Sequence, residues 1–183
     1  RFQDLLAEEP HAYVADGNHR SAAAAMLGYE HFLAVFFPAR SMGIDPYNRL
    51  VREAADDPSV NGLMTALKAR FAFEDTPTPG AYQPSETHRI GFYAPERGWM
   101  SLQPLPGTFD PEDASGAIDA DIVQKNLFEH VFGIADPRDE RLTFVGGNKD
   151  AAWLQSEVDE GRAAYAVTLP PVTMAQFIEV CRQ

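Results

Sequence analysis

The run Tyr13-Val14-Ala15-Asp16-Gly17-Asn18-His19-Arg20-Ser21 gathers the groups in this chain best placed to do chemistry. An apolar strand pattern leads into Gly17 and an Ala-rich stretch follows, so a tight turn opens a helix here. His19 and Arg20 then fall in or beside its first turn. Cations there oppose the partial positive charge of the free N–H groups at a helix start. A bound phosphate or carboxylate would reverse that penalty, and a helix start after a glycine turn is a ready anion site. The competing reading is local: Asp16 or Asn18 caps the helix and Arg20 points to water.

In the anion reading, Arg20 grips phosphate oxygens through its planar fork. His19 donates to a phosphate oxygen or holds the turn. Asp16 orients Arg20 or a magnesium ion, or takes the proton from a substrate hydroxyl; it is equally well a cap or turn residue. Gly17 supplies backbone freedom and close approach, and Asn18 and Ser21 add neutral donors. Asn48 and Arg49 form a second candidate cluster, a further arm for a polyphosphate if their strand end neighbours the first, and otherwise a solvated strand end. Gly146-Gly147-Asn148-Lys149-Asp150 lies between strand and helix patterns but lacks phosphate-loop spacing, so it reads as a turn with Asp150 capping the next helix. His11, His19, His31, His88 and His130 are scattered without ligand spacing, so no metal centre is expected from them. Cys181 lies on an apolar face and is not a candidate nucleophile.

These groups need elements to hold them. The pattern gives a strand at 11–15, a helix at 19–27 closed by Gly28, and a near-continuous apolar run at 31–37 that reads as a buried central strand. A short strand at 47–51, a helix at 60–69 and an edge strand at 71–73 follow. Strands at 87–94 and 98–103 flank the turn Pro95-Glu96-Arg97-Gly98 and predict a hairpin. Helices are expected at 118–132 and 150–159, ended by Gly133 and Gly161. Strands are expected at 142–145 and 163–169; Pro170-Pro171 stops the latter, and a last helix begins near Thr173. This alternation means an α/β or α+β fold. The Pro/Gly-rich stretch 76–85 divides the chain into 1–75 and 86–183, two parts that could pack as one unit.

The bulk numbers narrow the function. The chain has 183 residues, 15 basic and 27 acidic, for a net charge of −12. That surface argues against broad nucleic-acid contact and leaves room for a small-molecule or nucleotide ligand. No apolar stretch is long enough to span a bilayer, so no membrane partner is expected. A single cysteine rules out an internal disulfide and suits a cytoplasmic location. Helical patterns already under way at one end and unterminated at the other suggest a piece of a longer protein.

The first motif resembles the Tyr-Ile-Ala-Asp-Gly-His-His-Arg hallmark of the domain-of-unknown-function family ten-fifteen, in the ParB/sulfiredoxin-like superfamily. Asp45-Pro46-Tyr47-Asn48-Arg49-Leu50-Val51 resembles a second family strand, and Ile118-Asp119-Ala120-Asp121-Ile122-Val123 through Phe132-Gly133-Ile134 resembles a family helix. Leu142 to Val145, Gly161 to Ala166 and Leu169-Pro170-Pro171 follow its closing order. Two positions depart: the family's first His is Asn18, and the aromatic usual after its Arg is Ser21. The resemblance implies a ParB/sulfiredoxin-like core with additional C-terminal α/β elements and a β-hairpin. It also implies phosphate handling, since superfamily members with a similar Gly-x-x-Arg turn include a sulfinic acid reductase, CTP-binding chromosome segregation proteins and kinases of free serine. No cysteine lies in this turn, so reductase chemistry is not supported. The expected function is a serine-kinase-like small-molecule phosphotransferase using Mg2+ and ATP or ADP, with Asp16 and His19 catalytic. The alternative is a non-catalytic nucleotide- or anion-binding regulatory module.

Overall fold

The computed structural model describes residues 2–9, 11–52, 60–74, 76 and 80–183. Six strands form one sheet: β1 (Asn48–Val51), β2 (Phe71–Glu74), β3 (Ile90–Ala94), β4 (Gly98–Pro104), β5 (Leu142–Val145) and β6 (Tyr165–Thr168). Their order is β2-β4-β3-β6-β1-β5, and every pairing is antiparallel. With helices packed on this sheet, the fold is α+β. The expected hairpin is β3–β4, closed by the Arg97 amide on the Ala94 carbonyl and by Gly98 at φ 71°. β2 is an edge strand, as its short apolar stretch suggested.

Side-chain alternation splits the core between the two faces of the sheet. Val51, Phe92, Tyr165 and Val167 share one face with α3 (Val60–Lys68) and α4 (Asp119–Val123). Phe92, Phe132 and Tyr165 stack there with ring centroids 5.2–6.3 Å apart. Leu50, Tyr93 and Ala166 face the other way, against Leu154 and Val158 of α5 (Ala151–Asp159). Asp150 caps α5 as expected, accepting from the Trp153 amide at 2.8 Å. Thr173 and Gln176 form a reciprocal capping box on α6 (Met174–Arg182).

Three expectations change. The helix read across 118–132 is α-helical only through Val123, then widens into a π-helical turn at Gln124–Glu129. Asn126 Nδ2 donates to the Ile122 carbonyl at 3.0 Å, the acceptor that an α-helical turn reserves for the Asn126 amide. Residues 11–15 form no strand, and residues 31–37 are not the buried central strand that their composition suggested. All of 31–37 is exposed, with Leu33 at 92%, and the central sheet positions belong to β3 and β6. An apolar run states a need for burial but not what meets it, and no described strand pairs with this one.

The short helix α1 (Phe2–Leu6) and α2 (Asn18–Met26) precede the sheet, and none of residues 11–47 is buried. Strands β1 and β2 come from the first of the two parts proposed from sequence, and β3 to β6 from the second; of the stretch dividing them, 77–79 lie outside the described residues. No helix among the described residues is long and apolar enough to cross a membrane.

Candidate functional site

The turn at residues 16–21 is built as the local sequence requires. Gly17 takes φ 87°, a left-handed conformation that side chains rarely adopt, and is the N-cap of α2. No side chain caps that helix start, so neither Asp16 nor Asn18 performs the capping role considered for it. The Ser21 amide closes the first turn on the Gly17 carbonyl at 2.9 Å. Gly28, at φ 70°, ends the helix, with the Tyr29 amide on the Ala24 carbonyl. Arg20 does not simply extend into water: its Nη2 donates to Asp16 Oδ2 at 3.0 Å. A Cβ on Gly17 would stand 3.2 Å from Arg20 Nη2 and 3.3 Å from Nε, so glycine also makes room for the guanidinium. Asn18 and His19 are exposed, as is the Asp16–Arg20 pair.

Asn48 and Arg49 open β1 and are both buried, at 0% and 8% exposure. Asn48 closes a ring of hydrogen bonds: Nδ2 donates to Gln83 Oε1 at 2.9 Å, Gln83 Nε2 to the Leu169 carbonyl at 2.6 Å, and the Leu169 amide to Asn48 Oδ1 at 3.0 Å. Arg49 donates through Nη1 to the Tyr47 and Asn48 carbonyls. Its guanidinium lies 3.8 Å from the Phe144 ring centroid and 5.3 Å from that of Tyr47. Among the described residues no carboxylate pairs with it. Burial accordingly lowers its pKa to about 10. Among the described residues, no hydrogen bond or ion pair joins residues 16–21 to Asn48 or Arg49; one contact tying this part of the chain to the rest is Arg182 Nε on Tyr13 Oη, at 3.1 Å.

Gly146 to Asp150 forms the expected turn into α5, with the Lys149 amide on the Gly146 carbonyl and the Lys149 ammonium over the Trp153 ring. Among the described residues, no group of three or more His, Cys, Asp or Glu side chains could hold a metal ion. Sequence reasoning passed over one pair. His88, at φ 64°, directs its backbone amide and its ring Nδ1 to the carboxylate of Asp119, at 3.0 and 3.2 Å. A non-glycine residue at positive φ costs energy and marks a place worth chemical scrutiny. Sequence spacing offers no signal for it, since the partners are 31 residues apart.

Together the fold and the turn define an α+β protein in which an uncapped, glycine-started helix with a cation in its first turn precedes a six-stranded antiparallel sheet. The chain belongs to the family described as Protein of unknown function (DUF1015), whose model matches residues 1–127. That match spans the Gly17 turn, β1 to β4, and the helix carrying Asp119. No curated protein and no solved structure matches the chain.

Proposed function

We propose that this chain binds the phosphate of a nucleotide or phosphorylated metabolite at residues 16–21, as a cytoplasmic small-molecule phosphotransferase. The observation that carries the reading is the start of α2: Gly17 is left-handed, no side chain satisfies the first N–H groups, and Arg20 stands against the turn. The resemblance of this turn to those of the ParB/sulfiredoxin-like superfamily, free serine kinases among them, supports it independently. The Asp16–Arg20 pair is no obstacle, because ion pairs this exposed are worth about 0–1 kcal/mol and a bidentate phosphate contact competes well.

The turn suits a nucleotide and a magnesium ion in the chemistry of its donors. The amides of residues 18–20, with Arg20 and His19, are the donors this turn offers an anion, and the Asp16 carboxylate is a hard oxygen donor of the kind magnesium prefers. Magnesium, when bound, neutralises charge on the transferring phosphoryl group. Arg20 and the helix amides hold phosphate oxygens in place, and His19 adds a donor. Arg49, already positioned and with no carboxylate partner among the described residues, would be a second cationic arm if residues 16–21 come near β1 in the bound state.

The direct test is thermal stability against ATP, ADP, CTP, pyrophosphate, phosphoserine and serine, with and without magnesium, in the native chain and in Arg20→Ala. A ligand that binds only the folded state at about 100 times its Kd adds about 2.7 kcal/mol, so the shift is readable. A rise in Tm lost in Arg20→Ala supports the site; no rise with any phosphate compound removes it. One observation favours the non-catalytic regulatory module: Asn48 is sealed in its hydrogen-bond ring, which leaves the second cluster with Arg49 alone. Binding without nucleotide consumption would select that reading.

A further inference from the structure

A cavity of about 300 Å³ lies where the end of β6 meets the start of β1 and of α4, with Ile44, Tyr47, Leu169 and Val172 as apolar and aromatic walls. Two carboxylates reach it, Asp45 and Asp119. They differ in setting. Asp45 is exposed to water, whereas Asp119 is 5% exposed. The volume stands at the bottom of the range of small-molecule sites, so the cavity suits a compact metabolite and not a whole nucleotide.

Asp119 is held firmly. Its Oδ1 accepts from the His88 amide at 3.0 Å and faces His88 Nδ1 at 3.2 Å, while Oδ2 receives only the longer branch of the amide bond, at 3.2 Å. The positive φ of His88 is what lets the amide and the ring of one residue reach the same carboxylate, and the His88 ring is packed against Phe109 with centroids 4.8 Å apart. This strained clamp fixes the orientation of the carboxylate. Burial pushes the Asp119 carboxyl above the ordinary carboxylate range, against the lowering pull of the His88 bonds. Such a shift makes a carboxylate a better proton acceptor. Arg49 does not line the cavity but contacts one of its walls, since the Tyr47 carbonyl accepts from Arg49 and the Tyr47 ring lies beside its guanidinium.

We propose that Asp119 is the general base of this cavity, and that the cavity receives a small hydroxyl compound as phosphoryl acceptor. The inference rests on the transfer reaction above and relocates its base from the exposed Asp16 to a buried, clamped carboxylate. In the step, the acceptor hydroxyl gives its proton to Asp119 as its oxygen bonds to the terminal phosphorus. The bond from that phosphorus to the bridging oxygen breaks, and the shortened nucleotide leaves with that electron pair. The proton leaves Asp119 for water after product departs. His88 is a positioning residue.

Three variants, Asp119→Asn, His88→Ala and His88→Asn, test this with free serine, threonine and glycerol as acceptors. In His88→Asn the side-chain amide can replace Nδ1, and asparagine tolerates positive φ, so the clamp survives. Asp119→Asn should lower turnover by about 10²–10⁴-fold; His88→Ala, which loses the ring's hold on the carboxylate, should lower it as well, and His88→Asn should restore it to within about tenfold of the native chain. The nucleotide-induced rise in Tm should persist in all three, which also verifies folding. The methyl resonances of Ala120 and Val172 should shift when an acceptor is added to the native chain. Native-level turnover in Asp119→Asn, or unmoved methyl resonances, overturns the assignment while leaving the phosphotransferase reading standing. A native chain that consumes no nucleotide with any acceptor overturns both.

Discussion

Asn48 sits where three chain segments meet, and its removal would leave one buried group among them unpaired. In Asn48→Ala the Leu169 amide loses its acceptor and Gln83 Oε1 its donor, in a place with no exposure of the replaced residue. The Leu169 amide is buried and costs about 1–3 kcal/mol unpaired, whereas Gln83 is exposed and turns to water, so the expected loss is about 1–3 kcal/mol, read from the urea midpoint. Leu33 is the opposite case. At 92% exposure it has almost nothing to lose, and Leu33→Ser should move stability by less than about 0.5 kcal/mol. From residue type alone both would be ranked otherwise, the leucine as core and the asparagine as a surface donor. The chemistry of Asn48 was legible in its side chain; its partners, 35 and 121 residues away, were not. Gly17 is the contrary instance. A tight turn before an Ala-rich helix needs positive φ, and that requirement is local, so it could be read directly.

At the scale of elements, what could be read was again what short-range chemistry decides. The β3–β4 turn, the Asp150 cap and the Thr173 start each depend on neighbours within four residues. The π-helical turn at Gln124–Glu129 depends on Asn126, which also bonds the distant Thr108 carbonyl at 3.1 Å, and periodicity does not reveal it. Asp150→Ala should cost about 1 kcal/mol in thermal or urea unfolding. The tie between β3 and α5 makes a pH prediction. Tyr93 Oη donates to Asp159 Oδ1 at 2.6 Å, and burial followed by that bond raises the phenol to about 12. The folded value lies above the ordinary 10.0, so the folded state holds this proton more tightly than the unfolded state does. The contribution of Tyr93 is therefore complete below pH 10 and is lost as pH rises through about 12. In a spectrophotometric titration Tyr93 should ionise late, and Tyr93→Phe should abolish that late step.

For the whole molecule, burial divides the chain near residue 47. Strands β3 and β6 lie at the centre of the sheet between the two core clusters, whereas none of residues 11–46 is buried. Amides in β3 and β6 can exchange with solvent only when the sheet opens, at a cost approaching the global stability of about 5–15 kcal/mol. Amides in α2 need only local opening, because the helix has no buried residue to lose. Native-state hydrogen exchange should therefore give α2 protection factors orders of magnitude below those of β3 and β6, with β1 joining the protected set through its pairing with β5 and β6. The expected step in protection falls just before β1. The same measurement bears on the anion site. A phosphate ligand held by the first turn of α2 must close the local opening of that helix, so added ligand should slow exchange in residues 21–26 far more than in β6. If α2 exchanges as slowly as β6 without ligand, the helix is docked on the sheet and the turn is already rigid. If ligand raises Tm but leaves α2 exchange unchanged, the anion binds elsewhere, and Arg49, buried and with no carboxylate partner among the described residues, becomes the first residue to mutate.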